Sequence, residues 1–248
     1  VLADVVRQAI REFIPENTVS LLDSTDREST QTMLTLKEDI DVVIPRGGKG
    51  LIEMVYQKAL MPVIAHFEGL CHIYVHDDAD LDQALAICLN AKVQRPGVCN
   101  AVESILVHQG LVSAFLPQLV SALQDEQVEV RGCERTQKSA GVKAATEADW
   151  ATEYLDKIVS IKVVDDLEEA IAHIDRFGTH HTEAILAKDS KAIAKFEREV
   201  DASCIATNAS TRFNDGGQLG LGAELGIATT KFHAYGPMGA AEMTTRHF

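Results

Sequence analysis

The fold is decided by residues 40–65, which read IDVVIPRGGKGLIEMVYQKALMPVIA. The apolar run at 40–44 predicts a strand, the Pro- and Gly-rich residues 45–50 predict a turn, and residues 51–59 predict a helix. A second short apolar run at 62–65 predicts another strand. Because a helix between two strands is typical of a βαβ unit, this stretch indicates an α/β protein with a parallel sheet.

Strands and helices alternate on both sides of this stretch. Upstream, we expect an amphipathic helix over 1–14, a short strand over 18–22 and a helix over 27–36. Downstream, we expect five strands, at 73–75, 104–107, 159–164, 183–186 and 203–207. The apolar spacing predicts three further helices, one opened by Asp80 with Cys88 on its core face, one over 167–174 closed by Gly178, and one over 191–200. Residues 125–149 are polar with little periodicity, so we expect loops or a flap there.

Composition narrows the classes of function. The 248 residues include 23 Lys and Arg against 37 Asp and Glu, a formal net charge of -14. This balance argues against broad nucleic-acid binding and against attachment to an anionic membrane, and no apolar run approaches the roughly 20 residues of a membrane span. The five cysteines lack CxxC spacing, which is typical of free thiols in a cytoplasmic protein. No HExxH or Cys/His ligand spacing occurs, so we expect no metal site.

The strongest candidate for chemistry is Cys99, in the stretch KVQRPGVCN at 92–100. It lies between the helix opened by Asp80 and the strand at 104–107, at a Pro-Gly turn. A thiol in such a turn is more accessible than one on the core face of a helix. We expect Lys92 and Arg95 to favour the thiolate, which is the nucleophilic form of cysteine. From local context alone, an ordinary loop cysteine remains the alternative interpretation.

Seven motifs identify a family. They are PRGG at 45–48, CHIYV at 71–75, QRPGVCN at 94–100 with Glu103, HTEAI at 181–185, NASTRF at 208–213, DGGQLGLGAE at 215–224 and GPMG at 236–239. Together they resemble the gamma-glutamyl phosphate reductases, a family of the aldehyde dehydrogenase superfamily, in the family's order and over nearly the whole chain. The resemblance implies an α/β, aldehyde-dehydrogenase-like fold with a partial Rossmann-type cofactor domain and an α/β catalytic domain.

The resemblance also implies a reaction. Cys99 becomes the nucleophile of an enzyme that uses NADPH to reduce L-glutamyl 5-phosphate to L-glutamate 5-semialdehyde in proline biosynthesis. A thiolate displaces phosphate to form a thioester, hydride then reduces the thioester, and the Cys99 backbone N–H is one expected donor to the oxyanion. His66 stands where members that hydrolyse the thioester keep a glutamate base, which suits a reductase. A structural, hydrogen-bonding histidine is the alternative interpretation of His66.

Further site residues follow from the resemblance. On the cofactor side are Arg46, Gly47 and Gly48, and Glu153, which aligns with a glutamate that contacts the nicotinamide ribose. A solvated surface glutamate is the alternative interpretation of Glu153. On the substrate side are Arg95, Asn100, Asn208, Ser210, Thr211 and Arg212. We expect Arg212 to hold the α-carboxylate, with hydroxyl hydrogen bonds from the same loop, and Arg95 to lie on the phosphate side or to take the carboxylate instead.

Three segments are expected, with residues 1–69 as the second half of a dinucleotide-binding domain, 70–222 as the catalytic domain and 223–248 as a return segment with an oligomerisation strand. By resemblance the chain corresponds to roughly the last three-fifths of a family member. We therefore expect a homo-oligomer functionally linked to glutamate kinase, with poor activity of this chain by itself. Two alternatives stay open. One is a non-phosphorylating aldehyde dehydrogenase of the same fold, and the other is an inactive fragment that serves as an interaction module.

Overall fold

A computed structural model describes residues 2–248, apart from the side chain of Glu16. The chain divides into two compact units. The first comprises Val1–Val43 and Met54–Val63, and the second comprises Ile44–Glu53 and Ile64–Phe248. The segment boundaries expected after residues 69 and 222 refer to function rather than to compactness, and they remain a prediction.

The first unit is built from short helices joined by irregular segments. Helix α1 spans Leu2–Ile10, a 3-10 turn spans Glu16–Thr18, α2 spans Arg27–Met33, and the second half of α3 (Lys49–Lys58) also belongs here. The carboxylate of Asp26 accepts a 2.6 Å hydrogen bond from the backbone N–H of Ser29. Asp26 therefore acts as the N-cap that begins α2.

Predictions for the first unit hold for the helices and fail for the strands. The helices expected over 1–14, 27–36 and 51–59 are confirmed with shifted ends, and Val1 lies outside the described residues. The strand expected at 18–22 is wrong, since no segment of the described chain pairs with it. The strands expected at 40–44 and 62–65 reduce to one parallel bridge between Val43 and Val63. A regular strand needs a ladder of partners, and a single bridge does not supply one.

A seven-stranded parallel sheet forms the centre of the second unit. In chain order its strands are β1 (Cys71–Val75), β2 (Val102–His108), β3 (Glu129–Gly132), β4 (Lys143–Ala144), β5 (Ile158–Val164), β6 (Thr182–Leu186) and β7 (Cys204–Thr207). They lie in the order β4-β3-β5-β2-β1-β6-β7, and every pair is parallel. The five strands predicted for this region are confirmed and are adjacent in the sheet. The α/β class with a parallel sheet is therefore confirmed.

Helices cover both faces of this sheet. They are α4 (Leu81–Val93), α5 (Leu116–Asp125), α6 (Glu134–Ala140), α7 (Leu167–Phe177) and α8 (Ser190–Glu199). Ile73 and Val75 pack with α4 and α5, whereas Tyr74 packs with α7 and α8. Successive strand residues point to opposite faces, so β1 is buried along its whole length.

Aspartates begin three of these helices. Backbone N–H groups of Gln83, Glu169 and Lys191 donate to the carboxylates of Asp80, Asp166 and Asp189, at 3.3, 2.8 and 2.9 Å. Each bond satisfies a first-turn N–H that has no partner within its helix. The three predicted helices are confirmed as α4, α7 and α8, and Cys88 is fully buried in α4, as predicted.

The polar stretch at 125–149 is ordered, contrary to expectation. It holds β3, α6, β4 and a 3-10 turn at Glu147–Ala151. Val128 and Val130 are buried, and β3 pairs along its length with β5, so tertiary contacts supply the order that local periodicity does not show. The C-terminal region adds an antiparallel hairpin of β8 (Gly226–Ala228) and β9 (Gly236–Met238). Within residues 2–248, no helix has both the length and the apolar character needed to cross a lipid bilayer.

Candidate active site

The candidate site lies at the amino ends of three neighbouring strands. Gly69 precedes β1, Cys99 precedes β2, and His181 precedes β6. Because these strands are parallel and adjacent, in the order β2-β1-β6, their amino ends meet at one edge of the sheet. Open α/β sheets commonly bind ligands at the carboxyl ends of their strands. The predicted nucleophile therefore lies at the opposite edge, in the loops that lead into the sheet.

Cys99 occupies a tightly held turn between α4 and β2. The backbone N–H of Ala101 donates to the carbonyl of Val98 at 3.0 Å, and the Cys71 thiol donates to the carbonyl of Cys99 at 3.2 Å. A Cβ on Gly69 would lie 2.7 Å from the Cα of Cys99, which is far inside van der Waals contact. Only glycine fits at position 69 with the turn in this place. The backbone of Cys99 is therefore fixed from two sides.

The electrostatic surroundings of Cys99 oppose its ionisation. Burial raises the pKa of the thiol to about 11, and the nearby carboxylates of Glu153 and Glu224 act in the same direction. The expectation that Lys92 and Arg95 favour the thiolate is wrong for this structure. The Lys92 ammonium is buried and paired with Glu103 at 2.7 Å, and Arg95 is exposed. Arg46 is the cation whose charge lowers the pKa of Cys99.

Glu153 lies close to Cys99, in the segment that leads into β5. Its carboxylate accepts a 2.9 Å hydrogen bond from the backbone N–H of Gly69, the residue packed on Cys99. Partial burial raises the pKa of Glu153, and the charge of Glu68 adds to this effect. Glu153 is therefore not a fully solvated surface residue. Its contact with a ribose remains a prediction.

The predicted cofactor loop precedes α3. Arg46 is exposed and its guanidinium packs on Gly226, where a Cβ would lie 2.7 Å from one of its nitrogens. A Cβ on Gly48 would meet no atom within 4 Å, so the loop is open on that side. Lys49 pairs with Glu68 at 2.8 Å. Lys49 is thus already paired, whereas Arg46 and the N-terminus of α3 suit an anionic group.

His66 and His181 form a pair of rings close to the same edge. Their ring centroids are 5.7 Å apart in an edge-to-face arrangement. Burial lowers the pKa of both imidazoles, to about 3 for His181, and the charge of Arg46 also lowers that of His66. Nδ1 of His181 lies 2.8 Å from the hydroxyl of Thr182 and 3.6 Å from the Cys71 sulfur. Burial therefore favours the neutral form of both rings, and both interpretations of His66 stay open.

Two of the predicted substrate residues, Thr211 and Arg212, bond Asn100, the residue after Cys99. The guanidinium of Arg212 donates to the side-chain oxygens of Gln94, at 3.0 Å, and of Asn100. The hydroxyl of Thr211 donates to the Asn100 carbonyl at 2.7 Å, and the Asn100 amide donates to the carbonyl of Asn214 at 2.9 Å. The loop at 208–214 is thereby joined to the turn that carries Cys99.

An open groove of about 710 Å³ lies between α4 and this loop. Asn208, Ser210 and Arg212 line it, but some of their polar groups already form hydrogen bonds within the protein. Both ends of the Asn208 amide bond the backbone of Ala187, at 3.0 and 2.9 Å, and the Ser210 hydroxyl accepts from the backbone N–H of Arg212 at 3.3 Å. Arg95 does not line the groove. The predicted contacts of these residues with substrate stay predictions.

Three residues that shape this edge were not assigned a role from sequence. They are Gly69, which packs on the nucleophile, Cys71, which holds the Cys99 carbonyl, and Lys92 in its role as partner of Glu103. A glycine directly before a buried strand is a recognisable signal for close backbone approach. The other two contacts join different elements, Cys71 of β1 with the Cys99 turn and Lys92 of α4 with Glu103 of β2, and no local pattern shows them.

A possible metal-ligand group lies at the other edge of the sheet. Among the described residues, His76, Asp77 and Asp78 bring ligand atoms within 4.8 Å of one another. They follow the carboxyl end of β1, whereas Cys99 precedes the amino end of β2. Asp78 is already engaged by His76 at 2.8 Å and by the backbone N–H of Lys188 at 3.1 Å. This group therefore contributes nothing to the site at Cys99.

Comparison with known proteins identifies the family. A profile of the aldehyde dehydrogenase family matches residues 1–157. Gamma-glutamyl phosphate reductase of Nautilia profundicola is 49% identical over 245 residues, which cover 99% of this chain and 59% of the relative. That of Meiothermus ruber is 49% identical and covers 100% of this chain and 60% of its own length. The chain thus spans about 60% of the length of the curated relatives it matches.

Solved structures agree with this result. The crystal structure of gamma-glutamyl phosphate reductase from Thermotoga maritima has a TM-score of 0.95 and 48% identity, and the match covers 98% of this chain and 59% of that one. A propionaldehyde dehydrogenase from Clostridium phytofermentans, at 15% identity, has a TM-score of 0.72 over 98% of this chain and 64% of its own, and shows the same fold. The chain belongs to the aldehyde dehydrogenase family.

Proposed function

We propose that the protein reduces L-glutamyl 5-phosphate to L-glutamate 5-semialdehyde, with NADPH as reductant and release of phosphate, through a thioester on Cys99. The observation that carries this proposal is the identity of 49% to a gamma-glutamyl phosphate reductase, because that match covers 99% of the chain and spans the whole candidate site. The geometry is consistent with it. The Cys99 thiol lies in a fixed turn at the amino ends of the strands. A cationic loop and a polar groove flank this end of the sheet.

Cys99 performs the covalent chemistry in this proposal. Its deprotonated sulfur attacks the acyl carbon of the substrate, so that a C–S bond forms while the bond from that carbon to the phosphate oxygen breaks. After reduction of the thioester, the C–S bond breaks, the aldehyde leaves and the sulfur takes up a proton. Both steps pass through a tetrahedral oxyanion, and we assign the Cys99 backbone N–H as one donor to it. The fixed turn holds sulfur and donor in one geometry throughout.

The cofactor belongs on the side of Arg46 and Glu153. Members of the aldehyde dehydrogenase family use a nicotinamide cofactor, which supplies hydride to the acyl carbon when bound. Gly47 and Gly48 place the free N–H groups of the first turn of α3 at an open surface, where a cofactor phosphate fits. Arg46 adds a positive charge there. Glu153, whose carboxylate is anchored by Gly69, is positioned to accept a hydrogen bond from a ribose hydroxyl.

The substrate's amino-acid end belongs in the groove between α4 and the loop at 208–214. Arg212 is the cation of that groove, and Gln94 and Asn100 hold its guanidinium in place. We assign it to the α-carboxylate of the glutamyl group. Arg95 is exposed outside the groove and is assigned to the phosphate side. The net charge of -14 makes such placed cations necessary for binding an anionic substrate.

The wider setting follows from the same proposal. We propose that the protein acts in the cytoplasm, in proline biosynthesis, and is functionally linked to glutamate kinase, which produces an acyl phosphate. We also propose a homo-oligomer in which residues 223–248, including the hairpin of β8 and β9, contribute an oligomerisation strand. Residues 1–69 then serve cofactor binding and residues 70–222 serve catalysis.

The test assays the product of the complete coding region, and this chain separately, with the acyl phosphate and with free aldehydes. We expect NADPH-dependent reduction of the acyl phosphate with release of one phosphate per turnover. Cys99→Ser should lower turnover by several orders of magnitude, because an alcohol is barely ionised near neutral pH. Cys204→Ser is the matched control and should keep the parental rate. Oxidation of free aldehydes without phosphate dependence would indicate a non-phosphorylating enzyme, and absence of turnover with all substrates would favour an interaction module.

A further inference from the structure

A buried ion pair joins the two elements on either side of the turn that carries Cys99. Lys92, at the end of α4, and Glu103, in β2, lie on either side of the turn in sequence, and their charged atoms are 2.7 Å apart. The side chains are 0% and 1% exposed, so both charges are removed from water. The Lys92 ammonium also lies 6.0 Å from the centre of the Tyr154 ring. No step of the proposed reaction uses either charge.

Glu103 also holds a second segment. Its other carboxylate oxygen accepts a 3.3 Å hydrogen bond from the backbone N–H of Leu155. Leu155 has φ +53°, in the left-handed region that residues other than glycine rarely adopt. Such a conformation persists when surrounding contacts hold it. The side chain of Leu155 is exposed, so the hydrogen bond that its backbone N–H donates to Glu103 is a contact well placed to do so.

The segment held by Glu103 returns to the nucleophile. Glu153 lies two residues before Leu155 and accepts from the backbone N–H of Gly69, which packs directly on the backbone of Cys99. The carbonyl of Leu155 also lies 3.5 Å from where a Cβ of Gly97 would stand, within the same turn. These contacts connect Lys92 and Glu103 to residues 153–155, and from there through Gly69 back to the turn that carries Cys99.

We propose that Lys92 and Glu103 are positioning residues, which hold the Cys99 turn and Glu153 at a fixed distance from each other. The inference rests on the proposed function, because it concerns the relative placement of the nucleophile and a cofactor-contacting carboxylate. Glu103 is the central member, since one oxygen binds Lys92 and the other binds Leu155. Burial raises the pKa of Glu103 to about 7, and the charge of Lys92 opposes this effect.

Stability alone does not account for this pair. Replacing a buried ion pair by apolar side chains of similar volume is often neutral or stabilising, because both charges lose their hydration on folding. A purely structural role therefore predicts that an apolar replacement leaves the site unchanged. A positioning role predicts that the fold survives while the turn at Cys99 loosens. The two roles differ in what happens to Cys99, and thiol labelling measures this directly.

The experiment compares Lys92→Met/Glu103→Leu with Lys92→Met/Glu103→Gln in the product of the complete coding region. Both double variants remove the charges, but only the glutamine keeps an oxygen that accepts from Leu155. Iodoacetamide labelling at pH 8 is followed by mass spectrometry of each cysteine peptide. Cys88, fully buried in α4, reports loss of the fold. Lys138→Met/Glu134→Leu removes an exposed Lys–Glu pair, 2.6 Å apart, and is the matched control.

Lys92→Met/Glu103→Leu should label Cys99 about tenfold faster than the parent, because loosening of the turn exposes the thiol to water and to the reagent. Cys88 should stay protected, and reduction of the acyl phosphate should fall in kcat with little change in KM. The glutamine variant and the surface control should stay within about threefold of the parent. Equal behaviour of the two double variants at Cys99 would overturn the proposal.

Two further results keep the test decisive. If the leucine variant exposes Cys88 and has therefore lost its fold, Glu103→Asp decides, because it keeps a charge for Lys92 but is too short to reach Leu155. Faster labelling of Cys99 in Glu103→Asp is then expected, and the parental rate would overturn the proposal. If labelling changes as expected but no variant or parent reduces the acyl phosphate, the positioning role holds and the proposed function fails.

Discussion

Substitution of Gly69 by alanine perturbs the nucleophile without touching any group that reacts. A Cβ at this position would lie 2.7 Å from both the Cα and the carbonyl carbon of Cys99, and nearer still to its carbonyl oxygen. Ordinary van der Waals contact begins at 3.4 Å. The obstacle is backbone, which cannot rotate aside as a flexible side chain does.

The required displacement follows from these distances. To relieve the contact with the Cα alone, the backbone of Cys99 or of residue 69 must move by the difference between 3.4 and 2.7 Å, which is 0.7 Å, and the nearer carbonyl oxygen requires a larger movement. A misplacement of about 1 Å in a catalytic group costs roughly a hundredfold in rate. Overpacking of this kind costs about 1–3 kcal/mol of folding free energy. We therefore expect turnover of Gly69→Ala to fall about a hundredfold, while the chain remains folded.

The assay measures kcat and KM for the acyl phosphate together with urea unfolding of each variant. Gly97→Ala is the matched control because it lies in the Cys99 turn itself, yet its nearest neighbour, the carbonyl of Leu155, is at an ordinary 3.5 Å. Gly97→Ala should keep turnover within about threefold of the parent. Gly69→Ala with the turnover of Gly97→Ala would refute the reasoning, since the Cys99 backbone would then have room that the structure denies it.

Three further predictions follow from the electrostatics and the helix caps. Because burial raises the pKa of the Cys99 thiol to about 11, its alkylation in the ligand-free chain should accelerate about tenfold per pH unit between pH 8 and 10, and a plateau already at pH 8 would contradict this. Arg212→Leu should lower kcat/KM for the glutamyl substrate by the equivalent of about 2–4 kcal/mol, whereas kcat/KM for an analogue without the α-carboxylate should change little on the same substitution. If mutant and parent discriminated equally between the two substrates, Arg212 would be excluded as the carboxylate's partner. Asp166→Ala removes the N-cap of α7 and should cost about 1 kcal/mol in urea unfolding, whereas Asp175→Ala, near the carboxyl end of α7, should cost nothing; equal losses would contradict the capping role.

The central strands and their helices were predictable because their signals are local. β1, β5 and β6 are short apolar runs, and helices α4 and α7 show both an apolar stripe and an aspartate cap. The signals fail where tertiary contacts decide. β3 is short and partly charged, and its order comes from pairing with β5. The segment at 18–22 has the composition of a strand but lacks a partner within the described chain.

In the candidate site too, local sequence signals predicted some residues, while contacts that depend on the fold were missed. The Pro-Gly turn and the family motifs located Cys99, Glu153 and the loop with Arg212, and the structure brings Arg212 onto Asn100. The charge environment was predicted wrongly, because closeness in sequence suggested that Lys92 serves Cys99. In the fold Lys92 points to Glu103. Which cation faces which acid depends on how α4 packs on β2, and this information is not local.

The central claim is that Cys99 carries the acyl group, and trapping that acyl group tests it most directly. Glutamate 5-semialdehyde and NADP are added to the product of the complete coding region with phosphate withheld, so that the reverse reaction halts at the thioester. Mass spectrometry of the digested protein then locates the adduct. We predict a glutamyl group on the Cys99 peptide that hydroxylamine removes and that is absent from Cys99→Ser. Turnover without an adduct on Cys99, or an adduct on another cysteine that persists in Cys99→Ser, would contradict the account.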